Sequence, residues 1–340
     1  MREGNNFSLP RTEESLTARL AFALAKRARL GMNGFVLFLL IFIFFILNSL
    51  HAPNYISAAT SPDAIAIRVI PNPAHYSPLH WYQNQGFTGS PQSLTVDGYE
   101  AVRDGRTVYV NAANVDATNL YTNIYLISYN QDAENATQDI FGRILEHWKF
   151  NTNVSGAGNC SQATSTACLM SSDCGANEYC TSPKANIIRD TKRLSELVEI
   201  KIILESYKNK SGLYPKLDSG TYLPRQTIST WPSWQETLAQ ELGANLPLDP
   251  INKLGVCAGY DATTCWDEKT KKFAGSLPGN LPAGSNVMVY TATSTGASYD
   301  ICAVMGSGYL TSLAQGACPT SYVNISKTAF NNPPLITGVN

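Results

Sequence analysis

The chain has 340 residues, 44% of them hydrophobic, which is enough to bury a core in two or three domains. Charged residues make up only 15%, and 25 Lys and Arg against 26 Asp and Glu leave a net charge of -1. This balance excludes a strongly basic nucleic-acid-binding surface, so we expect no nucleic-acid partner. The 24 glycines and 18 prolines indicate a chain rich in loops.

Residues 30–50 carry no charged side chain, and the run from Phe35 to Leu47 within them is apolar throughout. A helix of about 20 residues spans about 30 Å, which is the thickness of the hydrocarbon core of a bilayer. The pattern therefore predicts one transmembrane helix at residues 30–50, with the lipid bilayer as its partner.

A basic cluster lies directly before this apolar segment. Lys26, Arg27 and Arg29 satisfy the positive-inside rule when residues 1–29 are cytoplasmic, and no comparable cluster follows the segment. We therefore expect a single-pass membrane protein with a cytoplasmic N-terminus and with residues 51–340 outside the cytoplasm.

Two other interpretations of the N-terminal segment stay open beside the uncleaved anchor. A cleaved signal peptide has a small-residue site at Ser57-Ala58-Ala59, although the 34 residues before Phe35 already exceed the usual total of about 15–30. The pair Gly34-Phe35 after basic residues resembles the processing site of type IV prepilins. That family has a glutamate five residues into the mature chain, where this sequence has Leu39.

Residues 61–150 predict a small external α+β module. Its strand candidates are rich in β-branched and aromatic residues, and the Asp104-Gly105 pair favours a tight hairpin turn. Apolar residues at helical spacing predict one helix near the end of the module. The predicted strands are 64–70, 99–102, 106–110 and 120–129, and the predicted helix is 139–150.

Three histidines of this module invite a functional interpretation. His147 has no neighbouring nucleophile motif, and His75 and His80 lack the nearby carboxylates or cysteines that a metal site needs. We expect all three to be structural. The segment around His80 also holds three aromatic residues, Tyr76, Trp81 and Tyr82. Such a loop either binds carbohydrate or a partner surface, or covers the edge of its own core.

Residues 151–183 form a cysteine-rich connector. Its cysteines are Cys160, Cys168, Cys174 and Cys180, in a stretch made mostly of small polar residues. Because burial cannot hold so polar a segment, we expect disulfide bonds. Zinc is the alternative, but the spacings lack the usual close pair of cysteines. Four cysteines allow three pairings, of which we favour the interleaved Cys160–Cys174 and Cys168–Cys180.

Residues 184–318 predict a second domain in which helices precede antiparallel strands. The clearest periodicity runs through residues 187–210, where Leu194, Leu197 and Leu204 fall on one face and Gly212 marks the end. A second helix is predicted at 233–242, with strands at 286–292 and 299–305.

Short motifs of this second domain resemble a known family. They are the run Arg189-Asp190-Thr191-Lys192-Arg193 with the helix to Tyr207, the Gly212-Leu213-Tyr214-Pro215 element and the Leu246-Pro247-Leu248-Asp249-Pro250 element. Together they resemble the globular part of the major, G-like pseudopilins of type II secretion. The resemblance covers residues 184–318 and implies a pilin-like domain.

Two features distinguish the chain from that family. The family joins its long helix directly to the transmembrane segment, whereas here a whole module and the connector lie between Leu50 and Arg189. The family also binds calcium through an acidic loop, whereas the matching stretch Met305-Gly306-Ser307-Gly308 has no acidic residue. We therefore expect no metal site. More broadly, the chain resembles large bacterial envelope proteins that join such a domain to other external modules.

The four remaining cysteines favour the local pairs Cys257–Cys265 and Cys302–Cys318. Four acidic residues lie near the first pair, and we expect them to form a solvated loop rather than an acid–base site. They are Asp249, Asp261, Asp267 and Glu268. Residues 319–340 contain Pro333-Pro334 and predict a linker or the start of a further module.

The predicted fold class is α+β. It comprises a single N-terminal transmembrane helix, a small α+β external module, a disulfide-rich connector, and a pilin-like domain with a long helix on a short antiparallel sheet. The sequence contains no common nucleotide-binding, serine-hydrolase or zinc-protease motif. We accordingly predict no catalytic residue, no metal ligand and no cofactor.

These patterns predict a membrane-anchored bacterial cell-envelope protein whose external modules scaffold or bind without catalysis. Its expected partners are other envelope or secretion-system proteins. One alternative is a pseudopilin component of a type II secretion or type IV pilus-like system. A second alternative is an envelope hydrolase that acts on glycan or peptide.

Overall fold

The computed structural model describes residues 63–117, 119–309, 318–319 and 321–326. From Asp63 onward the chain forms one compact unit. The predicted cytoplasmic segment 1–29 and the predicted transmembrane helix 30–50 lie outside the described residues.

The predicted fold class is wrong. The described residues form mostly β-structure, in four antiparallel sheets with few helices. No helix of the described part combines the length and the apolar character needed to cross a membrane, so the structure gives the predicted single transmembrane helix no support. The prediction relied on helical periodicity, which is visible in a local stretch of residues. Strands of two or three residues are stabilised by partners far along the chain and leave no local pattern, so the sequence did not reveal them.

Five strands form the first sheet, in the order β1-β5-β4-β3-β2. Asp104 pairs with Thr107 across a tight turn in which Gly105 has a φ of 56°, so the predicted hairpin is confirmed. Polar side chains at the turn and β-branched residues along the strands explain this arrangement. The strands are β1 (Ile65–Pro71), β2 (Gln92–Val96), β3 (Tyr99–Asp104), β4 (Thr107–Asp116) and β5 (Asn119–Tyr129).

Helices cover both faces of the first sheet. The short helix α1 (Pro78–Asn84) was missed in the sequence, although Ser77 caps it by accepting a hydrogen bond from the His80 amide and Pro78 occupies its first turn. Helix α2 (Asn135–His147) lies near the predicted position and packs on β5.

The connector folds around very short elements. A two-stranded ladder pairs β6 (Gly158–Asn159) with β7 (Ala167–Cys168), and a single 3₁₀ turn follows at Ser171–Asp173. So little regular structure agrees with the small polar side chains of this segment.

Helix α3 (Pro183–Ser211) is the central element of the fold. Ser182 caps its first turn by accepting from the Ala185 amide, and Gly212 ends it in the left-handed conformation with a φ of 82°. Buried leucines and isoleucines on several sides let α3 pack against the first sheet and the second sheet together. One continuous core therefore spans the segments that the sequence analysis assigns to separate domains.

The second sheet has the order β13-β12-β11-β8. Residues 322–324, assigned above to a linker, form its edge strand. One face packs on α3, and the other is covered by the loop that contains the two-stranded β9–β10 hairpin. The strands are β8 (Gln226–Ile228), β9 (Trp266–Asp267), β10 (Lys272–Phe273), β11 (Val289–Ala292), β12 (Tyr299–Val304) and β13 (Tyr322–Asn324). A π-helical turn at Trp234–Ala239 leads into the one-turn helix α4 (Gln240–Leu242) where one helix was predicted.

Candidate functional site

All eight cysteines of the chain form disulfide bonds, so the disulfide prediction is confirmed. Two interleaved bonds close the connector, and each of the other two closes a local loop of the second half. The pairs are those favoured from the sequence: Cys160–Cys174, Cys168–Cys180, Cys257–Cys265 and Cys302–Cys318.

The crossed disulfides bring three connector sulfurs close together. The Sγ atoms of Cys160, Cys168 and Cys174 lie within 4.8 Å of one another. Metal binding requires free thiolates, and each of these sulfurs is instead bonded to another sulfur. The disulfides account for the clustering without a metal ion.

A buried ion network joins α3 to the Leu246–Pro250 element of the resemblance. The Arg193 guanidinium donates from Nε to Asp249 Oδ2 at 2.7 Å and from Nη2 to Asp249 Oδ1 at 3.0 Å. Its Nη1 donates to Asp190 Oδ1 at 2.9 Å. Asp249 is only 3% exposed, so the predicted solvated position of this residue is wrong.

The same network reaches Gly306 and Ser307, in the stretch that the predicted resemblance compares with a calcium loop. Asp190 accepts hydrogen bonds from the Gly306 amide at 3.0 Å and from the Ser307 amide at 2.8 Å. Burial acts to lower the pKa of Arg193, but the hydrogen bonds and charges of Asp249 and Asp190 outweigh it and raise that pKa. The network is thus internally satisfied and fixes two loops against α3.

A second charged group lies where α3 meets β3. Lys192 donates to Glu100 Oε1 at 2.7 Å, and Glu196 lies 3.4 Å from the same ammonium group. Burial, with Lys192 opposing it, raises the pKa of Glu196 to about 8. Burial thus disfavours the charged form of the Glu196 carboxyl group, and the shorter contact of Lys192 is with Glu100.

The three histidines take up different positions. His147 is exposed at the end of α2. His80 Nδ1 lies 3.2 Å from Glu199 Oε2 on α3, and Ser77 donates to the other oxygen of Glu199 at 2.8 Å. This contact joins α1 to α3. The side-chain hydroxyl of Ser77 also caps α1, so the Ser, His and Glu groups are held in a structural arrangement.

The aromatic segment covers the first sheet. Trp81 and Tyr82 are buried against Tyr109 of β4, with ring centroids 5.9 and 5.4 Å apart respectively. Phe87, which is 43% exposed, closes this cluster 5.0 Å from Tyr82. Of the two interpretations offered for this loop, the packing favours coverage of its own core.

His75 is buried beneath this segment. Its Nδ1 lies 2.9 Å from Thr122 Oγ1, which itself donates to the Asn72 carbonyl at 2.7 Å. Burial lowers the pKa of His75 to about 4, so the imidazole is neutral at physiological pH.

We expect His75 to make the folded protein sensitive to mild acid. Its folded pKa of about 4 lies below the ordinary value of about 6.5, so the unfolded chain binds the proton more tightly. The stability contribution is complete above about pH 6.5 and is lost as the pH falls towards 4, by about 3 kcal/mol in total. Urea unfolding at several pH values in this range measures the loss.

His75→Asn is the matched control. Asparagine tolerates the left-handed conformation of this position, where φ is 53°, and it does not titrate. The variant is expected to lose less stability than the parent between pH 6.5 and 4. An equal loss in both proteins would show that His75 does not carry the acid sensitivity.

The other acidic residues near Cys257–Cys265 lie in solvated turns, as expected. Asp261 accepts hydrogen bonds from the amides of Thr263 and Thr264, which lower its pKa. Glu268 is exposed and accepts from the Trp266 indole at 3.0 Å. These carboxylates stabilise local turns.

A cleft of about 380 Å³ opens beside the C-terminal end of α3. Its side chains are mostly engaged with one another: Tyr207 donates to Glu241 at 2.9 Å, Thr237 donates to the Gly220 carbonyl at 2.7 Å, and Lys216 lies 3.5 Å from Asp218. Tyr214, from the Gly212–Pro215 element, forms part of the wall. A ligand here would have to compete with these internal contacts.

Neither the ion network nor the cleft is apparent from the sequence. Arg193 and Asp249 both fall within motifs of the resemblance, and that is the only signal that marks them. Nothing in the local sequence pairs them, because the loop carrying Asp249 approaches α3 only in the folded chain.

No known protein family, curated protein or solved structure matches this chain. The resemblance to pseudopilins and the alternative of an envelope hydrolase therefore stay predictions.

Proposed function

We propose that the unit from Asp63 onward is an extracytoplasmic binding or scaffolding domain that performs no catalysis. The observation that carries this proposal is the set of four disulfide bonds, which use every cysteine of the chain. Disulfides form and persist in oxidising compartments, whereas cytosolic thiols are kept reduced. We propose both an envelope location and a binding role for this unit.

The use of charge supports a structural role. Arg193 bonds to Asp249 and Lys192 pairs with Glu100, in each case between elements that are distant in the sequence, and Arg193 also bonds to Asp190 one turn away on α3. Catalytic sites place perturbed groups where a substrate reaches them. Here Arg193 and Glu196 lie between α3 and the elements packed on it, and His75 is buried against β5.

Thiol labelling in cells tests the proposal. We expect a membrane-permeant maleimide to label none of the eight cysteines in intact, non-reduced cells, and to label them after denaturation and reduction. Protease added outside intact cells, or outside spheroplasts, should cleave the domain. Labelling without reduction, combined with full protection from protease, would refute the extracytoplasmic location.

A further inference from the structure

Strand β1 forms an open edge of the first sheet. It pairs with β5 along its whole length, and no strand of the described residues pairs with its other side. The side chains of Ile67 and Val69 on this strand are each 50% exposed. Edge strands in natural proteins are usually short, charged or covered, because an open apolar edge promotes pairing with another chain. An edge of seven residues with two exposed apolar side chains therefore indicates an interaction surface.

The bonds at the two ends of β1 show which backbone groups face the open edge. The Asn130 amide donates to the Ala64 carbonyl at 3.2 Å, and the Asn72 amide donates to the Thr122 carbonyl at 2.9 Å. Because the bonding direction alternates along an antiparallel strand, the even-numbered residues of β1 bond to β5 and the odd-numbered residues face outward. The outward-facing residues are Ile65, Ile67, Val69 and Pro71.

The apolar face of the sheet continues as far as this edge. Ile67 lies opposite the buried Ile127, and Val69 lies opposite Tyr125, which packs against the same core. At the start of the strand, Ile65 is partly buried against that core. The core is thus covered on its other sides by α2 and α3, and its outermost row ends in two half-exposed side chains.

A second copy of β1 fits this edge in one register. When Ile67 of one copy lies opposite Ile67 of the other, Ile65 lies opposite Val69, and each such pair exchanges two backbone hydrogen bonds. Every outward N–H group of these three residues then has a partner. Pro71, which has no N–H, lies just beyond the paired stretch.

Charge favours the same register. Arg68 is the one charged residue of β1, and in this register it lies opposite Ala66 of the second copy. The shift that places Arg68 opposite Arg68 would oppose two like charges, and it would also pair Ile65 with Pro71, which cannot donate. The other edge of the sheet offers no such match, because the exposed side chains of β2 are polar: Gln92, Ser93 and Thr95.

We propose that the protein forms a two-fold symmetric dimer through antiparallel pairing of β1 with β1 of a second copy. The two first sheets then join into one continuous sheet, and the exposed Ile67 and Val69 side chains become part of its shared apolar face. The contact uses the same surface on both copies, so it closes on itself and does not propagate into a fibre. The proposal does not depend on the extracytoplasmic location.

Cysteine trapping in the full-length, oxidised protein tests the register. Ile67→Cys sets two thiols across the two-fold axis, where the paired Cα atoms are about 5.5 Å apart and within reach of a disulfide bond. Val69→Cys is the matched control, since it is equally exposed but its two copies would lie about 13 Å apart along the strands. We expect about ten-fold more covalent dimer from Ile67→Cys, with the linked peptide identified by mass spectrometry. Equal trapping of both variants would overturn the register and the proposal.

Sedimentation velocity measures the association without a cross-link. We expect the parent to dimerise, and Ile67→Lys, which opposes two ammonium groups at the axis, to raise the dissociation constant about ten-fold. Thr95→Lys, in an exposed position on β2, is the control and should associate as the parent does. Urea unfolding of the dilute variants checks that both remain folded, and the cysteine trapping stands without them.

A parent that stays monomeric at about 300 μM would overturn the dimer. Amide hydrogen exchange would then identify the occupant of the edge. Protection of the Ile65, Ile67 and Val69 amides in the monomer would assign the edge to another segment of this chain, and fast exchange would leave it open to a strand of a different protein. A dimer that Ile67→Lys retains, or that Thr95→Lys weakens equally, would place the contact elsewhere and would also overturn the proposal. These outcomes leave the thiol-labelling result unaffected.

Discussion

Arg193→Met is expected to destabilise the protein by about 3–5 kcal/mol, because it leaves the buried carboxylates of Asp190 and Asp249 without their common cation. Both carboxylates then lack a cation and keep only backbone amide donors: Gly306 and Ser307 for Asp190, and Ile251 and Asn252 for Asp249. Urea unfolding at neutral pH measures the loss.

Two further variants separate the charge effect from the loss of a large side chain. Lys192→Met removes a neighbouring, half-exposed cation from the same helix and should cost about 1 kcal/mol or less. The double variant Arg193→Met with Asp249→Leu should recover part of the loss, since one unpaired carboxylate is removed while Asp190 keeps its two amides. A cost for Arg193→Met no larger than that for Lys192→Met would contradict the importance of this network.

Replacing Cys168 and Cys180 by alanine is expected to cost about 3 kcal/mol, because the bond closes a loop with a sequence separation of 12. The connector has little apolar surface, and apart from the Cys160–Cys174 bond its regular structure is limited to the short β6–β7 ladder and one 3₁₀ turn. We therefore also expect proteases to cut within residues 151–183 of the variant. Urea unfolding and mass spectrometry of the fragments give the two measurements.

The pair Cys257→Ala and Cys265→Ala serves as the comparison. Its sequence separation is 8, so the chain-entropy cost is slightly smaller, and the connector should stay resistant to cleavage. Equal cleavage of the connector in both variants would indicate general unfolding. Full stability and protease resistance of the first variant would show that the remaining Cys160–Cys174 bond and packing on α3 are enough to hold the connector.

Local sequence signals predicted the elements whose stabilising contacts lie within one short stretch of the chain. The Asp104-Gly105 turn and the alternation around it predicted the β3–β4 hairpin. The periodicity of residues 187–210 predicted α3, although the cap at Ser182 starts the helix four residues earlier. The helix α1 escaped notice because its apolar face is one short turn, even though the Ser77-Pro78 pair is a recognisable start signal.

The second sheet was predicted only in part. Strands β11 and β12 form a local hairpin and carry their own pattern, whereas β8 and β13 are three residues long and pair with partners far along the chain. Gln226, Thr291 and Asp300 stand opposite one another on β8, β11 and β12, and this polar row depends on how the three strands are aligned. A shift of one residue would turn each side chain to the other face of the sheet, so no local pattern reveals the row.

The sequence by itself was enough to predict that the cysteines form disulfide bonds and that residues 187–210 lie in a long helix. Small polar residues around Cys160–Cys180 leave covalent closure as the means of holding the connector, and a 3.6-residue repeat needs no distant partner to be recognised. Only the tertiary structure decided that α3 is shared by two sheets, that Asp249 is buried against Arg193, and that the described residues form mostly sheet. The physical reason is that burial and strand pairing arise between residues distant in the chain, whereas composition and helical periodicity are local.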